Sequence, residues 1–286
     1  IYCLTKSDEE KLSTALGRIV EEDPSMRMFR DPVTHETVLH GTGEMQVDVV
    51  TSRLKKQFNV QVELKVPKVA YKETITGAGE GSHRHKKQSG GRGQFAEVHL
   101  RLRPRGRGEG YNFVNSVVGG TIPTKFIPAV EKGIKEALLA GILTGCPVED
   151  VEVDVFFGKD HPVDSSEMAF KIAAGMAFRE VALKSNPILL EPIVRMEITV
   201  PEEHMGDVIG DMNSKRGRIL GMDTVKGRST IRATAPLSEV LRYSIDLKSI
   251  ARGRGSYTME LDTYEPVPYE KTQQIIADVK AAKEAE

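Results

Sequence analysis

At 286 residues, 39% of them hydrophobic, the chain is long enough for two or three packed domains and too long for one small core. Its 40 basic and 41 acidic side chains give a net charge of -1, so a polyanion partner would have to recognise a local patch. The two cysteines suit a reducing compartment, and we expect a cytoplasmic protein without a membrane partner, because no charged leader and no apolar run near the ~18 residues of a membrane span is evident.

The first 69 residues carry the alternation of strands and helices written βαββαβ. Leu12, Leu16 and Ile19 follow a helical stripe, and Asp23-Pro24 ends it because proline cannot continue a helix. The other predicted elements are strands at "IYCL", "MRMFRD", "ETVLHG" and "VQVELKV" and a helix at "GEMQVDVVTSRLKKQFN". This order is typical of a ferredoxin-like sandwich, in which two helices cover one face of a sheet.

The middle segment, residues 70–186, has a different pattern. Strands are predicted on both sides of "HKKQSGGRGQ" and at "YNFVNSVVGG" and "DVEVDVFFG", with helices at "AVEKGIKEALLAGI" and "EMAFKIAAGMAFREVAL". Asp164, Ser165 and Ser166 offer an N-cap for the last of these helices. A helix leading into an alternating strand predicts a βαβ crossover in this segment.

The order βαββαβ returns in residues 187–286. Strands are predicted at "PIVRMEITV" and "SYTMELDTYEPV", helices at "EEHMGDVIGDMNSKRG" and "SEVLRYSIDLKSIA", and a hairpin that turns at Lys226-Gly227. Gly217 is the predicted C-cap of the first helix. A final helix is predicted over 270–284, so the chain is expected to be α+β, with two ferredoxin-like sandwiches at 1–69 and 187–286 flanking a central α+β domain at 70–186.

Positive charge is concentrated between residues 81 and 107, where eight Lys or Arg residues face one acid, Glu97. Gly90, Gly91 and Gly93 surround Arg92 and allow close approach of the backbone, so that amide groups and the guanidinium meet phosphates together. The chain has no Trp, so stacking on bases should be secondary to phosphate contact. The basic residues are Arg84, Lys86, Lys87, Arg92, Arg101, Arg103, Arg105 and Arg107.

Catalytic and metal sites are not indicated. The phosphate-binding motif G-x-x-x-x-G-K-[ST] does not occur. His83 and His85 alternate on a predicted strand without a cysteine or carboxylate cluster, so we expect no metal, and capping explains Asp164 to Glu167 better than nucleophile chemistry does. We therefore expect no cofactor and no catalytic residue in this chain.

Several strings carry a close resemblance to the C-terminal half of bacterial elongation factor G, in order and across nearly the whole chain. They are "LGRIVEEDPSM", "GTGEMQVDVV", "YKETI", "KQSGGRGQF", "GGTIPTKFIPAVEKGI", "LLEPIVRMEITVPEEHMGDVIGDMNSKRG" and "RGSYTMEL". The resemblance implies domains three, four and five of that family, the central one like ribosomal protein S5 domain 2. The GTPase domain and β-barrel of the family precede this part, so GTP and magnesium are expected only in a full-length protein.

The family couples GTP hydrolysis to the movement of tRNA and mRNA through the ribosome, and its domain four reaches the decoding centre. The resemblance therefore implies an RNA-binding tip made of two loops, "HKKQSGGRGQ" and "GKDHPVD". The tip residues are Lys86, Lys87, Gln88, Ser89, Gly90, Gly91, Arg92, Gly93 and Gln94 in the first loop and His161 in the second.

The same resemblance implies contacts of domain three with the small subunit and of domain five with rRNA and stalk-base proteins of the large subunit. The candidates for domain five are Lys215, Arg216, Arg218, Arg252 and Arg254. We expect the protein to act as a monomer.

Alternatives to a translocation factor remain at this point. Phe95-Ala96-Glu97 and the arginine-rich "RLRPRGRGEG" depart from the common family pattern and leave open a paralogue that acts in ribosome recycling. A ribosomal protection protein shares the architecture but differs at the tip. An enzyme that binds a phosphorylated metabolite is the distant alternative.

Overall fold

The computed structural model describes residues 1–3, 8–34, 36–41, 43–88 and 93–284. The chain forms two compact units, one of residues 1–70 and 192–263 and one of residues 71–191 and 264–286. Helices and sheets occur in both, as the predicted α+β class requires. The division into three domains at residues 69 and 186 stays a prediction. Across the described residues, no helix combines the length and the apolar character needed to cross a membrane.

Residues 1–70 have the predicted order βαββαβ. Leu12, Leu16 and Ile19 of the first helix are buried in one cluster with Val50 and Leu54 of the second. The strands form two antiparallel ladders, β1 with β4 and β2 with β3. The elements are β1 (Tyr2–Cys3), α1 (Glu9–Glu22), β2 (Arg27–Arg30), β3 (Thr37–His40), α2 (Glu44–Gln57) and β4 (Val62–Glu63).

The last strand of this region is shorter than the seven-residue pattern "VQVELKV" predicts. Only Val62 and Glu63 form a strand. Val60 is fully buried, whereas Leu64 and Val66 are exposed, so the alternating apolar side chains have no second surface to pack against. Because Leu64 and Val66 would not be buried by a longer strand, extending the ladder beyond Glu63 would add little stability.

The second unit contains a four-stranded sheet with two helices on one face. Its strand order is β6-β7-β9-β8, and β8 runs parallel to β9 across the helix α3, which confirms the predicted βαβ crossover. Val151, Val153 and Val155 of β9 pack under Phe170 and Phe178 of α4. The elements are β5 (Lys72–Ile75), β6 (Gly79–Lys87), β7 (Gln94–Pro104), β8 (Asn112–Asn115), α3 (Ile127–Ala140), β9 (Val151–Lys159) and α4 (Glu167–Lys184).

A buried carboxylate organises the base of this unit. The side chain of Glu73 is fully buried on β5 and accepts backbone N–H groups from five consecutive residues, Ile142 to Cys146, at 2.6 to 3.2 Å. The hydroxyl of Thr144 donates a further hydrogen bond at 2.8 Å. The loop between α3 and β9 thus has its amide donors satisfied by one side chain.

Residues 192–263 form a sheet in the order β11-β12-β10-β13, with α5 and α7 packed on one face. Lys226 and Gly227 both adopt positive φ, 50° and 77°, and form the predicted two-residue hairpin turn. The elements from residue 187 onward are β10 (Pro187–Pro201), α5 (Met205–Ser214), β11 (Arg218–Val225), β12 (Arg228–Pro236), α6 (Leu237–Val240), α7 (Tyr243–Ile250), β13 (Ser256–Pro266) and α8 (Tyr269–Glu284), the last in the second unit.

Two predictions for this region are wrong in detail. The helix predicted over "SEVLRYSIDLKSIA" is divided into α6 and α7 by a turn at Leu241 and Arg242, which no glycine or proline marks. Helix α5 has Lys215 as its C-cap, and Arg216, not Gly217, takes the left-handed conformation, with φ 61°. Gly217 is needed for a different reason, because its amide bonds Met212 O at 2.8 Å and a Cβ there would lie 2.7 Å from that oxygen.

Candidate nucleic-acid interface

The first predicted tip loop closes the hairpin of β6 and β7, whose last paired residues are Lys87 and Gln94. Lys86, Lys87 and Gln88 are exposed. Within the described part of the chain, neither lysine has a carboxylate partner. Ser89, Gly90, Gly91 and Arg92, the centre of the predicted loop, lie outside the described residues, so their predicted contacts stay a prediction.

The second predicted loop, "GKDHPVD" at residues 158–164, takes in the end of β9 and the turn that leads to α4. Together with Ser165 it is hydrogen-bonded to the end of the hairpin. The amide of Gly93 donates to Asp164 Oδ1 at 3.1 Å, and the amide of Phe95 donates to the Asp164 carbonyl at 3.0 Å. The hydroxyl of Ser165 donates to the Phe95 carbonyl at 2.7 Å. The structure therefore brings the two predicted loops together.

Only one of the three residues predicted to cap α4 does so through its side chain. Ser166 accepts the Ala169 amide at 3.2 Å, as an N-cap does. Asp164 and Ser165 instead bond the hairpin, a role that the sequence reasoning missed. The sequence did carry a signal for this second role. Three polar residues stand in a row where one side chain suffices for a cap, so the other two were available for different contacts.

His161 is held by its own loop. Its Nδ1 lies 3.3 Å from the Val163 amide and 3.2 Å from the Asp164 amide, and its own amide donates to Ser165 Oγ at 2.8 Å. The imidazole side chain is 50% exposed and lies beside the Phe95 ring, with 6.2 Å between ring centroids. This places a half-exposed imidazole beside the end of the hairpin.

Most of the cationic window is neutralised, which corrects the interpretation drawn from the charge count. Each of five arginines on the hairpin and the loop after it lies near a carboxylate. Four of the five partners lie outside residues 81–107, and strand pairing and the loop fold bring them close. The pairs are Arg84 with Glu97 at 2.6 Å, Arg101 with Glu80 at 3.1 Å, Arg103 with Glu152 at 3.1 Å, Arg105 with Glu109 at 3.5 Å and Arg107 with Asp150 at 3.6 Å.

Glu97 is the most enclosed of these carboxylates on the hairpin. Its side chain is 9% exposed and accepts from Arg84 Nε at 2.6 Å and lies 2.9 Å from His99 Nε2. Burial by itself would raise the pKa of Glu97, but the hydrogen bonds from His99 and Arg84 outweigh it and lower the pKa below its ordinary value. Glu97 is therefore a charged structural group of the hairpin.

The two histidines considered as metal ligands have protein partners. His83 Nδ1 lies 2.8 Å from Glu180 Oε1, and His85 Nε2 lies 2.9 Å from Gln94 Oε1. Among the described residues, no three His, Cys, Asp or Glu side chains are grouped as a metal site requires. His85 thereby fixes the side chain of Gln94, the last residue of the predicted first loop.

Three of the five candidate ribosome-binding residues in the C-terminal region form ion pairs with carboxylates. Lys215 is 17% exposed and bonds both Asp211 and Asp246, the second at 3.3 Å, so it links α5 to α7. Arg216 lies 3.6 Å from Glu239, and Arg254 pairs with Glu203. Arg218 and Arg252 are exposed. Contact of any of the five with RNA stays a prediction.

Three family models match successive parts of the sequence. The sequence matches the families described as Elongation Factor G, domain III, over residues 1–66, Elongation factor G, domain IV, over residues 67–186, and Elongation factor G C-terminus over residues 188–275. A crystal structure of a Thermus thermophilus protein is similar, with 42% identity and a TM-score of 0.86 over 98% of this chain. This chain covers 42% of that one.

The three matched regions follow one another in the family's own order and together take in nearly all of the chain. The chain belongs to the elongation factor G family.

Proposed function

We propose that this chain is the ribosome-contacting part of a translational GTPase that promotes the movement of tRNA and mRNA during elongation. The observation that carries the proposal is the end of the β6–β7 hairpin, where two hydrogen-bonded loops lie beside lysines without carboxylate partners in the described chain. A hairpin with neutralised sides and a cationic end is suited to reach into a site lined by nucleic acid.

Four kinds of group supply the proposed contacts. Lys86 and Lys87 pair with backbone phosphates as mobile point charges. Arg92, outside the described residues, adds a planar donor between glycines, and amides of the loop add further donors. His161 supplies a half-exposed imidazole on the other loop. Contacts of this kind bind the backbone of tRNA and mRNA without reading the sequence.

We propose that GTP is bound and hydrolysed by another part of a longer protein. This chain covers 42% of the Thermus thermophilus chain that it resembles, and GTP and magnesium belong to the uncovered part under this proposal. The C-terminal cations contact rRNA and stalk-base proteins of the large subunit, and residues 1–66 contact the small subunit. The protein works as a monomer in the cytoplasm.

The departures that left recycling open have roles inside the hairpin. The Phe95 ring lies beside His161, and Glu97 bonds Arg84 and His99. In the arginine-rich segment, Arg101 and Arg103 pair with Glu80 and Glu152. Since these contacts stabilise the tip, they are explained without a different task on the ribosome. We therefore keep translocation as the proposed function.

Cosedimentation of the purified chain with ribosomes at several salt concentrations tests the proposal. Each phosphate contact contributes about 0.7 to the log-log salt slope on a single strand, so Lys86→Ala/Lys87→Ala should reduce the slope by about 1.4. Lys132→Ala/Lys184→Ala, which removes the same charge from exposed positions on α3 and α4, is the control and should leave the slope unchanged. Equal slopes for both double variants would contradict the proposed tip.

A further inference from the structure

The contact between the two tip loops depends on two adjacent residues, Asp164 and Ser165, which we call the tip latch. Asp164 is bonded by the hairpin twice, through its carboxylate to Gly93 N–H at 3.1 Å and through its carbonyl to Phe95 N–H at 3.0 Å. The Ser165 hydroxyl donates to the Phe95 carbonyl and accepts the His161 amide. Both loops are therefore fixed to the same two residues.

The latch also explains a glycine at the end of the first loop. A Cβ at Gly93 would lie 3.1 Å from Asp164 Cγ and 3.2 Å from Asp164 Oδ2, which is closer than most side-chain contacts allow. Any other residue at position 93 would require the carboxylate to shift by a few tenths of an ångström. Gly93 thus provides close approach rather than a left-handed conformation.

The same loop selects one tautomer of His161. Backbone amides only donate, and two of them, those of Val163 and Asp164, lie 3.3 Å and 3.2 Å from Nδ1. Nδ1 must therefore present its lone pair, which leaves the proton of the neutral ring on Nε2. Nδ1 also lies 3.4 Å from Asp164 Oδ2. Of these three neighbours only the Asp164 amide, at 3.2 Å, is within the ordinary N–H···O range, and this donor makes Nδ1 the acceptor.

We propose that Asp164 is a positioning residue, which holds the end of the first loop against the His161 loop so that Nε2–H of His161 is presented as a donor for RNA. The inference rests on the proposed function for its RNA partner, but the latch itself belongs to this chain alone. Asp164 touches no RNA in this account and acts through Gly93, Phe95 and His161.

NMR spectroscopy of the full chain tests the latch without a ribosome. In the parent chain, the nitrogen shifts of His161 should report the Nε2–H form; the Nδ1–H form would overturn the proposal with no variant needed. Hydrogen bonds to charged groups contribute about 1.5–3 kcal/mol, so Asp164→Ala should speed hydrogen exchange at the Gly93 amide at least about tenfold. Unchanged exchange at Gly93 would likewise overturn it.

Two matched variants separate the effect of losing the hydrogen bond to Gly93 from the effect of losing a negative charge. Asp164→Asn keeps an acceptor oxygen and should restore most of the Gly93 protection. Asp160→Ala removes the same charge from an exposed residue of the same loop and should match the parent chain. Thermal melts check that every variant is folded.

Ribosome cosedimentation adds the functional readout. Asp164→Ala should bind more weakly than Asp160→Ala, and equal binding would overturn the positioning role. If the parent chain itself fails to bind ribosomes, the proposed function fails, whereas the exchange and tautomer results still decide the latch.

Discussion

The sides and the end of the β6–β7 hairpin both carry basic residues, but these residues differ in their pairing with carboxylates. On the sides, Arg84, Arg101 and Arg103 lie within 2.6 to 3.1 Å of carboxylates. At the end, Lys86 and Lys87 have no such partner among the described residues. The number of charges in this window therefore does not show which cations are available to a polyanion, because pairing with carboxylates removes those on the sides.

A physical reason underlies the contrast. Arginine forms fixed, planar hydrogen bonds that suit a partner on a neighbouring strand, whereas lysine is a mobile point charge on a flexible stem. Strand β9 provides Glu152 opposite Arg103, the two being direct neighbours in the sheet. The ladder between β9 and the hairpin stops at Lys159, which pairs with Glu97, so β9 contributes no carboxylate to the end in the described part of the chain.

The greatest loss of stability is expected at Glu73, at the base of the second unit. Glu73→Ala leaves five loop amides without their acceptor and should lower the free energy of unfolding by about 3 kcal/mol or more. Chemical denaturation measures the change. Glu149→Ala, which breaks a surface pair with Lys72, is the control and should cost at most about 1 kcal/mol. Similar losses for both would contradict the account of Glu73.

An intermediate effect is expected on the sides of the hairpin. Glu97→Gln weakens the bonds to Arg84 and His99 and should cost about 1–2 kcal/mol, less than a fully buried charge pair because the Arg84 side chain is 58% exposed. Denaturation at neutral pH measures it. A cost equal to that of a lysine substitution at the tip would remove the distinction between the sides and the end.

The same carboxylate predicts a pH dependence with a definite sign. The pKa of Glu97 is lowered in the folded chain, so its contribution to stability is present above the unfolded pKa near 4.5 and is lost as the pH falls through the folded value. The difference in unfolding free energy between the parent chain and Glu97→Gln should therefore shrink on acidification below that pH. A gap that widens in acid would show that the sign is wrong.

The smallest effect on stability is expected at the tip. Lys86→Ala/Lys87→Ala removes two exposed side chains and should change the unfolding free energy by less than about 0.5 kcal/mol per site. Thermal and chemical denaturation check this value. A large loss of unfolding free energy would mean that the lysines stabilise the hairpin itself and would contradict their assignment as free contacts for a partner.

Local patterns in the sequence predicted much of the fold. The βαββαβ order of residues 1–69, the turn at Lys226-Gly227 and the cap at Ser166 each depend on residues close together in the chain. The break at Leu241 and Arg242 was missed because no residue there is a strong helix breaker.

The parts of the site that could not be predicted depend on distant residues. Arg103 and Glu152 are 49 residues apart, and Gly93 and Asp164 are 71 apart. Their contacts follow from strand register and from how β9 ends, neither of which periodicity specifies. The first tip loop was indicated by its charge and glycines and the second only by the family resemblance, whereas the latch that joins them required coordinates.

The most direct test measures two activities of a longer protein that contains this chain and the family's GTP-hydrolysing region. His161→Ala and Lys86→Ala/Lys87→Ala are compared with the Asp160→Ala control in GTP hydrolysis on ribosomes and in the rate of tRNA and mRNA movement. We predict that hydrolysis is unchanged in all three and that movement is slowed in the two tip variants alone. Movement at the parent rate by tip variants that melt normally would contradict the account.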